Sequence, residues 1–407
     1  MTASVDFEEI EAARRRIADS VYFSPCAESA ALSDLCGAKI FCKLEYLQRT
    51  GSFKERGACN ALLSLSPQQQ KQGVVAASAG NHALALAFHG LRLGIPVTVV
   101  MPKFAPLIKQ QRCRRKQANV LLHGETFGEA RAKADEIARE QSLTYVHGYD
   151  DPAVIAGQGT LGLEIVEQVP DADAVIVPIG GGGLIAGVSL AVKHLRPEVE
   201  IIGVQASNAP CYLAAIEAGQ PVPTVMSPTL ADGLAVGQVG ANALEIARER
   251  IDRVVSVDEA ALALAVVRLM ELEKSVVEGA GAASLAALLT GQLDDLQGKN
   301  VVLCLCGGNI DLPILHRLIE SGLVTDGRLT RFTATISDRP GGLARLTTLL
   351  AECGASVHEI THDRAFAGPN VAAVNVLCTV ETRDHQHQQE LFEMLEQESV
   401  PHWRMRS

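Results

Sequence analysis

The chain has 407 residues, enough for two or three domains, and 47% of them are apolar, ample for more than one hydrophobic core. Its 36 Lys and Arg against 47 Asp and Glu leave a formal charge of −11, which argues against nucleic acid as a main partner. Ten Phe, five Tyr and one Trp are too few for a base-stacking platform.

The opening MTASVDFEEIEAARRRIADS has no apolar run of the secretory-signal type, so a cytoplasmic protein is expected. Short β-branched runs then alternate with Ala- and Leu-rich stretches. Strands are expected at Val74–Ala77, Val97–Met101, Asn119–Leu122, Thr144–His147, Ala174–Ile179, Glu200–Gln205 and Asn300–Cys306. Helices are expected at Asn81–Leu93, Glu125–Gln141, Gly159–Gln168, Leu184–His194, Asp258–Glu273 and Ala280–Leu289. Such alternation implies α/β architecture with parallel sheets wrapped by helices. The uncharged stretch 174–192 contains Pro178 and four consecutive glycines, so it reads as strand, loop and helix, and no membrane partner is expected. Character changes at 320–327, and residues 328–407 read as strand, helix, strand, strand, helix and short strand, a βαββαβ order. A domain boundary is placed near residue 325. The ten cysteines form no CxxC pair, so zinc-ribbon and thioredoxin readings fail and reduced, buried thiols are expected.

The chemistry starts at IGGGGL, 179–184, where a buried strand meets a helix. Amides of Gly180, Gly181, Gly182, Gly183 and Leu184 can converge on an anion at the helix N-terminus, and a phosphate is the natural guest. A P-loop would need Gly-Lys-Ser/Thr next, and here Leu-Ile-Ala follows. A dinucleotide site would want an acid about 20 residues on, where Gln205 stands. In TGSFKERGA, Lys54 follows Phe53, with Gly51 and Ser52 as the expected helix cap; alone it reads as a solvated lysine. SAGNHALAL is a second small-residue turn, whose amides suit a carboxylate and whose Asn81 can donate or accept. The basic group Arg112, Arg114, Arg115 and Lys116 reads as a solvated helix face, and His385 and His387 as polar surface. Glu278 receives no role.

Together TGSFKERGA, SAGNHA, GGGGL and CGGNID, in this order over most of residues 20–320, resemble the fold-type-II pyridoxal-phosphate enzymes, in particular the serine/threonine dehydratase family. The resemblance implies two open parallel-sheet lobes, a large one from 1–47 and 151–325 and a small one from 48–150. It implies pyridoxal 5′-phosphate as cofactor, bonded covalently to Lys54, with Phe53 against the ring and Asn81 on the ring hydroxyl. The amides of Gly180–Gly183 and Leu184 would hold its phosphate. Ser78, Ala79, Gly80, Asn81 and His82 would receive the substrate carboxylate. Cys306 would face the pyridine nitrogen, and the lack of an acid there favours β-elimination over transamination. The expected reaction turns L-threonine into 2-oxobutanoate and ammonia, with L-serine as a secondary substrate. Two alternatives stay open: another β-hydroxy amino acid, such as 3-hydroxyaspartate or phenylserine, or a catalytically dead amino-acid sensor.

Serine racemases of the family carry a second serine where this chain has Ala79, so racemisation is expected to be poor. Their eukaryotic members place two metal-binding carboxylates where this chain has Gln205 and Cys211, so no divalent metal is expected. The stretch ISDRPGGLARLTTLLAECGASV, 336–357, is similar to an ACT domain. That resemblance implies a regulatory tail, 328–407, with a small amino-acid effector at Asp338, Gly341 and Gly342, or a dimerisation module that binds nothing. A homodimer or homotetramer is expected.

Overall fold

Runs of small and β-branched apolar residues bury both faces of a strand, and the chain uses them to build two parallel sheets within the unit Met1–Asp311. The computed structural model describes residues 5–363 and 372–404. Residues 1–4 of the expected first lobe, and 364–371 and 405–407 of the expected tail, lie outside the described residues. The unit's strands are β1 (Cys26–Ser29), β2 (Lys39–Leu44), β3 (Val74–Ala77), β4 (Val97–Met101), β5 (Asn119–Leu122), β6 (Thr144–Tyr145), β7 (Ala174–Pro178), β8 (Glu200–Ala206), β9 (Arg253–Val257) and β10 (Asn300–Leu305). Six of them form a sheet in the order β1-β2-β10-β7-β8-β9, parallel except for the β1–β2 pair. The other four form β5-β4-β3-β6, all parallel. The stretch 174–192 is β7, the glycine loop and the start of helix Gly183–Leu195. Among the described residues no helix is long and apolar enough to cross a membrane. All ten cysteines are free thiols.

Two elements depart from expectation for local reasons. β6 stops at Tyr145 and not at His147, because the chain turns there: His147 Nδ1 accepts the amides of Tyr149 (3.3 Å) and Asp150 (3.0 Å). The helix expected from Gly159 starts at Pro152, capped by Asp151, whose carboxylate accepts the amides of Ala153 (2.8 Å) and Val154 (3.1 Å). Its glycines serve helix packing. A Cβ on Gly157 would lie 2.6 Å from Gly57 Cα, on the facing helix Lys54–Leu63.

That close approach buries Arg56, which is 1% exposed. Its guanidinium grips Glu45 through two bonds of 2.8 Å and Glu164 through bonds of 2.6 and 2.8 Å. Lys43 Nζ adds bonds to Glu164 (2.5 Å) and to the Ser24 carbonyl (2.7 Å). Two cations thus meet two carboxylates, and every charge is hydrogen-bonded, the condition under which buried ions are tolerated.

The second compact unit begins at Leu312. The boundary expected near 325 therefore moves, because helix Leu312–Thr325 buries Leu315 and Leu318 and packs on β11. In this unit β11 (Leu329–Ser337), β12 (Ser356–Asp363), β13 (Ala373–Glu381) and β14 (His402–Arg404) form an antiparallel sheet ordered β12-β13-β11-β14. Helices Gly342–Cys353 and His385–Gln397 pack Leu346, Leu350, Leu391 and Phe392 onto Phe332, Val376 and Cys378 of the sheet. His387, read as polar surface, is buried: its Nε2 lies 2.8 Å from the Cys353 carbonyl and its Nδ1 accepts Arg383 N at 3.0 Å. Asp338 follows β11, and Gly341, at φ 97°, opens the next helix, so Asp338, Gly341 and Gly342 share one turn.

Replacing Arg56 with Met keeps the side chain's length but strips two buried carboxylates of their main partner. A loss of about 3–5 kcal/mol of stability is expected, read as a lower urea midpoint for the full chain.

Candidate active site

The loop before Lys54 has no side-chain cap, contrary to the expected role of Ser52: the N-cap is Phe53, and Ser52 Oγ is buried without a hydrogen-bond partner among the described residues. The loop is stitched instead to the end of β10. Phe53 N donates to Cys306 O (3.0 Å), Gly308 N to Gly51 O (3.0 Å) and Asn309 Nδ2 to Thr50 O (2.6 Å). This places the Lys54 motif beside the CGGNID motif, far apart in sequence. Lys54 Nζ donates to the Gly148 carbonyl at 2.6 Å, and Phe53 stands with its ring centroid 5.1 Å from that nitrogen.

A cavity of about 620 Å³ opens here, lined by residues of both sheets. It gathers Phe53, Lys54, Ser78, Gly80, Asn81, His82, Gly180–Gly183, Leu184 and Cys306, all expected site residues. Ala79 is the exception. It lines an adjoining cavity of about 210 Å³, which shares Gly80, Asn81, Asp232, Gly233 and Glu278 with the larger one. Arg112, read as solvated, also lines that smaller cavity, 3.5 Å from Asn309 Oδ1.

Of the lining residues not assigned from the sequence, two act directly on residues that were. Glu278 Oε1 accepts Asn81 Nδ2 at 2.8 Å, and Asn81 Oδ1 accepts Asn309 Nδ2 at 2.9 Å. Asn81, the expected ring-hydroxyl partner, is thus held from two sides. The signal for Glu278 was an acid isolated among small apolar residues in VVEGAGA, the pattern of a buried carboxylate. The second is Tyr149, for which HGYDD offers no signal. Its ring and its carbonyl occupy the space that Cβ atoms on Gly181 and Gly183 would need. Glycine is required at both positions, and Gly182, at φ 91°, must take the left-handed conformation.

Electrostatics follow from burial. Burial pushes the Lys54 amine down to about 8. Burial, then the Asp232 carboxylate, pushes Glu278 up to about 7. Burial, then the Lys54 charge, lowers His82 to about 3, so its ring is neutral; Nε2 lies 3.1 Å from the Val146 carbonyl, and Nδ1 is buried without a partner among the described residues. Cys306 is driven well above the usual thiol range and stays protonated, 3.2 Å from the Cys304 carbonyl.

Pyridoxal phosphate fits these residues on three counts. The glycine loop has no room for side chains where a phosphate would need bare amides, the lysine is desolvated into a usable amine, and an unpaired polar atom of His82 belongs to a cavity-lining residue. Such a site defines a cofactor-dependent enzyme built on an α/β scaffold. A model of the pyridoxal-phosphate dependent enzyme family matches residues 17–307, and the chain belongs to that family. It is 42% identical over 391 residues to the L-threonine ammonia-lyase of Thermotoga maritima, covering 96% of this chain and 97% of that protein. The processed form of threonine deaminase isoform 2 from Solanum lycopersicum superposes with a TM-score of 0.74 at 35% identity, over 79% of this chain and 95% of that one. Serine racemase from Dictyostelium discoideum gives 0.72 at 33% identity, over 76% of this chain and 100% of that one.

A lysine lowered from 10.5 to about 8 becomes a neutral nucleophile as the pH rises through about 8. The rate at which apoprotein takes up pyridoxal phosphate, followed by stopped-flow absorbance, should therefore rise through that pH and level off above it. A midpoint near 10.5 would contradict the desolvated site.

Proposed function

We propose that the chain is a pyridoxal-phosphate-dependent threonine ammonia-lyase, which releases 2-oxobutanoate and ammonia from L-threonine by β-elimination and uses L-serine as a secondary substrate. The observation that carries this reading is the desolvated Lys54 amine in one cavity with the bare amides of the glycine loop. The choice of threonine is supported by the 42% identity to the Thermotoga maritima L-threonine ammonia-lyase over 96% of the chain. In this reading the lobe containing the six-stranded sheet is the large one and the lobe containing the four-stranded sheet is the small one.

When bound, the cofactor acts as an electron sink that makes the substrate Cα–H acidic. Lys54, Phe53, Asn81, the amides of Gly180–Gly183 and Leu184, and Cys306 would hold it. Lys54 serves as the base for the Cα proton, with an amine near 8 that is part-neutral at physiological pH. The amides of Ser78–His82, at the start of helix Asn81–Leu93, take the substrate carboxylate. Glu278 and Asn309 fix the orientation of the Asn81 amide from opposite ends. Cys306, as a neutral thiol, places no negative charge at its end of the cavity, which favours elimination.

We further propose that residues 328–407 are an ACT-like regulatory domain with an amino-acid effector site at Asp338, Gly341 and Gly342, and that the chain works in the cytoplasm as a homodimer or homotetramer. The βαββαβ order of β11 to β14 supports this, as does the left-handed glycine that opens the helix Gly342–Cys353. Size-exclusion chromatography with light scattering reads the assembly.

The function is tested by measuring 2-oxo acid release from threonine, serine, 3-hydroxyaspartate and phenylserine. Threonine should have the highest kcat/KM, and Lys54→Ala should abolish turnover while leaving the circular dichroism spectrum unchanged; another preferred substrate overturns the specific assignment. For the tail, threonine turnover is followed while isoleucine or valine is titrated into the full chain and into Gly342→Ala, in which a Cβ would collide with the Ser337 carbonyl. The full chain should respond and the variant should lose that response. A full chain indifferent to every amino acid leaves the tail a dimerisation module.

A further inference from the structure

In a trans peptide the C=O of one residue and the N–H of the next point in opposite directions. A run of amides therefore converges on an anion only if the carbonyls before them are held outside. In the glycine loop three successive carbonyls each have a partner. Gly182 O accepts Ala186 N at 2.9 Å, in the first turn of the helix, and Gly181 O accepts Gly240 N at 3.0 Å. Gly180 O accepts the Cys211 thiol, with Sγ at 3.4 Å. Two of these donors are main-chain amides. The third is a side chain, the one of the three that substitution can remove.

Cys211 opens the helix Cys211–Ala218 and is 1% exposed. Burial pushes its thiol up to about 11, so the proton needed for donation stays on sulfur. The helix is itself pinned to the sheet. Gln205, at the end of β8, accepts Leu213 N at 3.3 Å through Oε1 and donates to Ser256 Oγ at 3.2 Å.

We infer that Cys211 is a positioning residue for the cofactor phosphate: its thiol holds the Gly180 carbonyl outside the loop and so aims the Gly181 amide into it. The inference rests on the reading of the glycine loop as the phosphate site. Cys211 does not line the cavity. It acts through the orientation of one peptide group.

The test compares Cys211→Ser, which keeps a donor, with Cys211→Ala, which differs from it by a single hydroxyl. Three readouts are taken on the full chain: the dissociation constant for pyridoxal phosphate, the ³¹P resonance of the bound cofactor, and the melting temperature of the apoprotein. The Ala variant should bind the cofactor about five-fold more weakly than the Ser variant, the size expected for one net hydrogen bond. Its ³¹P resonance should shift toward that of free cofactor. The two apoproteins should melt alike, and KM for threonine at saturating cofactor should be the same. Equal cofactor affinities in the Ser and Ala variants, with wild type binding normally, overturn the role of Cys211 alone. A wild-type apoprotein that takes up no cofactor overturns the phosphate reading together with it. The Cys211→Thr and Cys211→Val pair repeats the comparison at larger volume, should the Ala variant fail to fold.

Discussion

The helix that carries Lys54 is anchored two residues further on by a charge that has nowhere else to go. Arg56 lies between Glu45, in the turn after β2, and Glu164, on the helix Pro152–Gln168. Removing the guanidinium would leave two carboxylates in a dry interior, so the helix cannot slide or rotate without a large penalty. Gly57 and Gly157 let the backbones approach closely enough for those bonds to form. The position of the Lys54 amine is therefore set by packing and charge behind it, not by the cavity in front. This fits a role in which the amine must be placed accurately yet remain only weakly held, on one carbonyl of Gly148.

The five residues from His147 to Asp151 connect that anchor to the other end of the cavity. His147 accepts two amides and turns the chain, Gly148 receives Lys54, and Tyr149 backs the glycine loop. Asp150 takes the amides of Ala241 and Ala243, next to the Gly240 that holds the Gly181 carbonyl. Asp151 starts the helix that carries Glu164. One short segment thus contacts the lysine and the glycine loop and caps the helix that carries Glu164.

How much of this was legible in the sequence follows a physical divide. Strands with two buried faces, such as β3 and β7, are continuous apolar runs, and the glycine loop announces itself by composition, so both could be read directly. Lys54, Asn81 and Cys306 were reached through the resemblance of their motifs, not through chemistry visible in any one of them. What stayed hidden depends on contacts between distant residues. Glu278 gains a role only when Asn81 lies 2.8 Å away, and Arg112 looks solvated until Asn309 is placed beside it. Tyr149 matters because glycines elsewhere leave room for it. Helix Pro152–Gln168 starts seven residues before the expected Gly159, and its Gly157 permits contact with the helix Lys54–Leu63, a contact between residues distant in sequence. Helix Leu312–Thr325 falls in the second compact unit because it packs on β11, a contact that the change of character at 320–327 does not announce.

The distribution of protons across the cavity bears on which reaction such a site can favour. Burial moves Lys54 and Glu278 toward neutral pH, to about 8 and about 7. It moves His82 and His147 away, to about 3 and about 4, and raises Tyr145 and Tyr149 to about 12 and Cys306 well above the thiol range. The imidazoles, phenols and thiol are therefore locked in their neutral forms, and proton exchange near physiological pH is concentrated on one amine and one carboxyl. That carboxyl is already engaged with Asn81. Racemisation needs a second proton carrier to return a proton to the opposite face of Cα. A site with one free base can take the Cα proton and lose the β-substituent, and this asymmetry favours elimination even though the same scaffold is shared with a racemase.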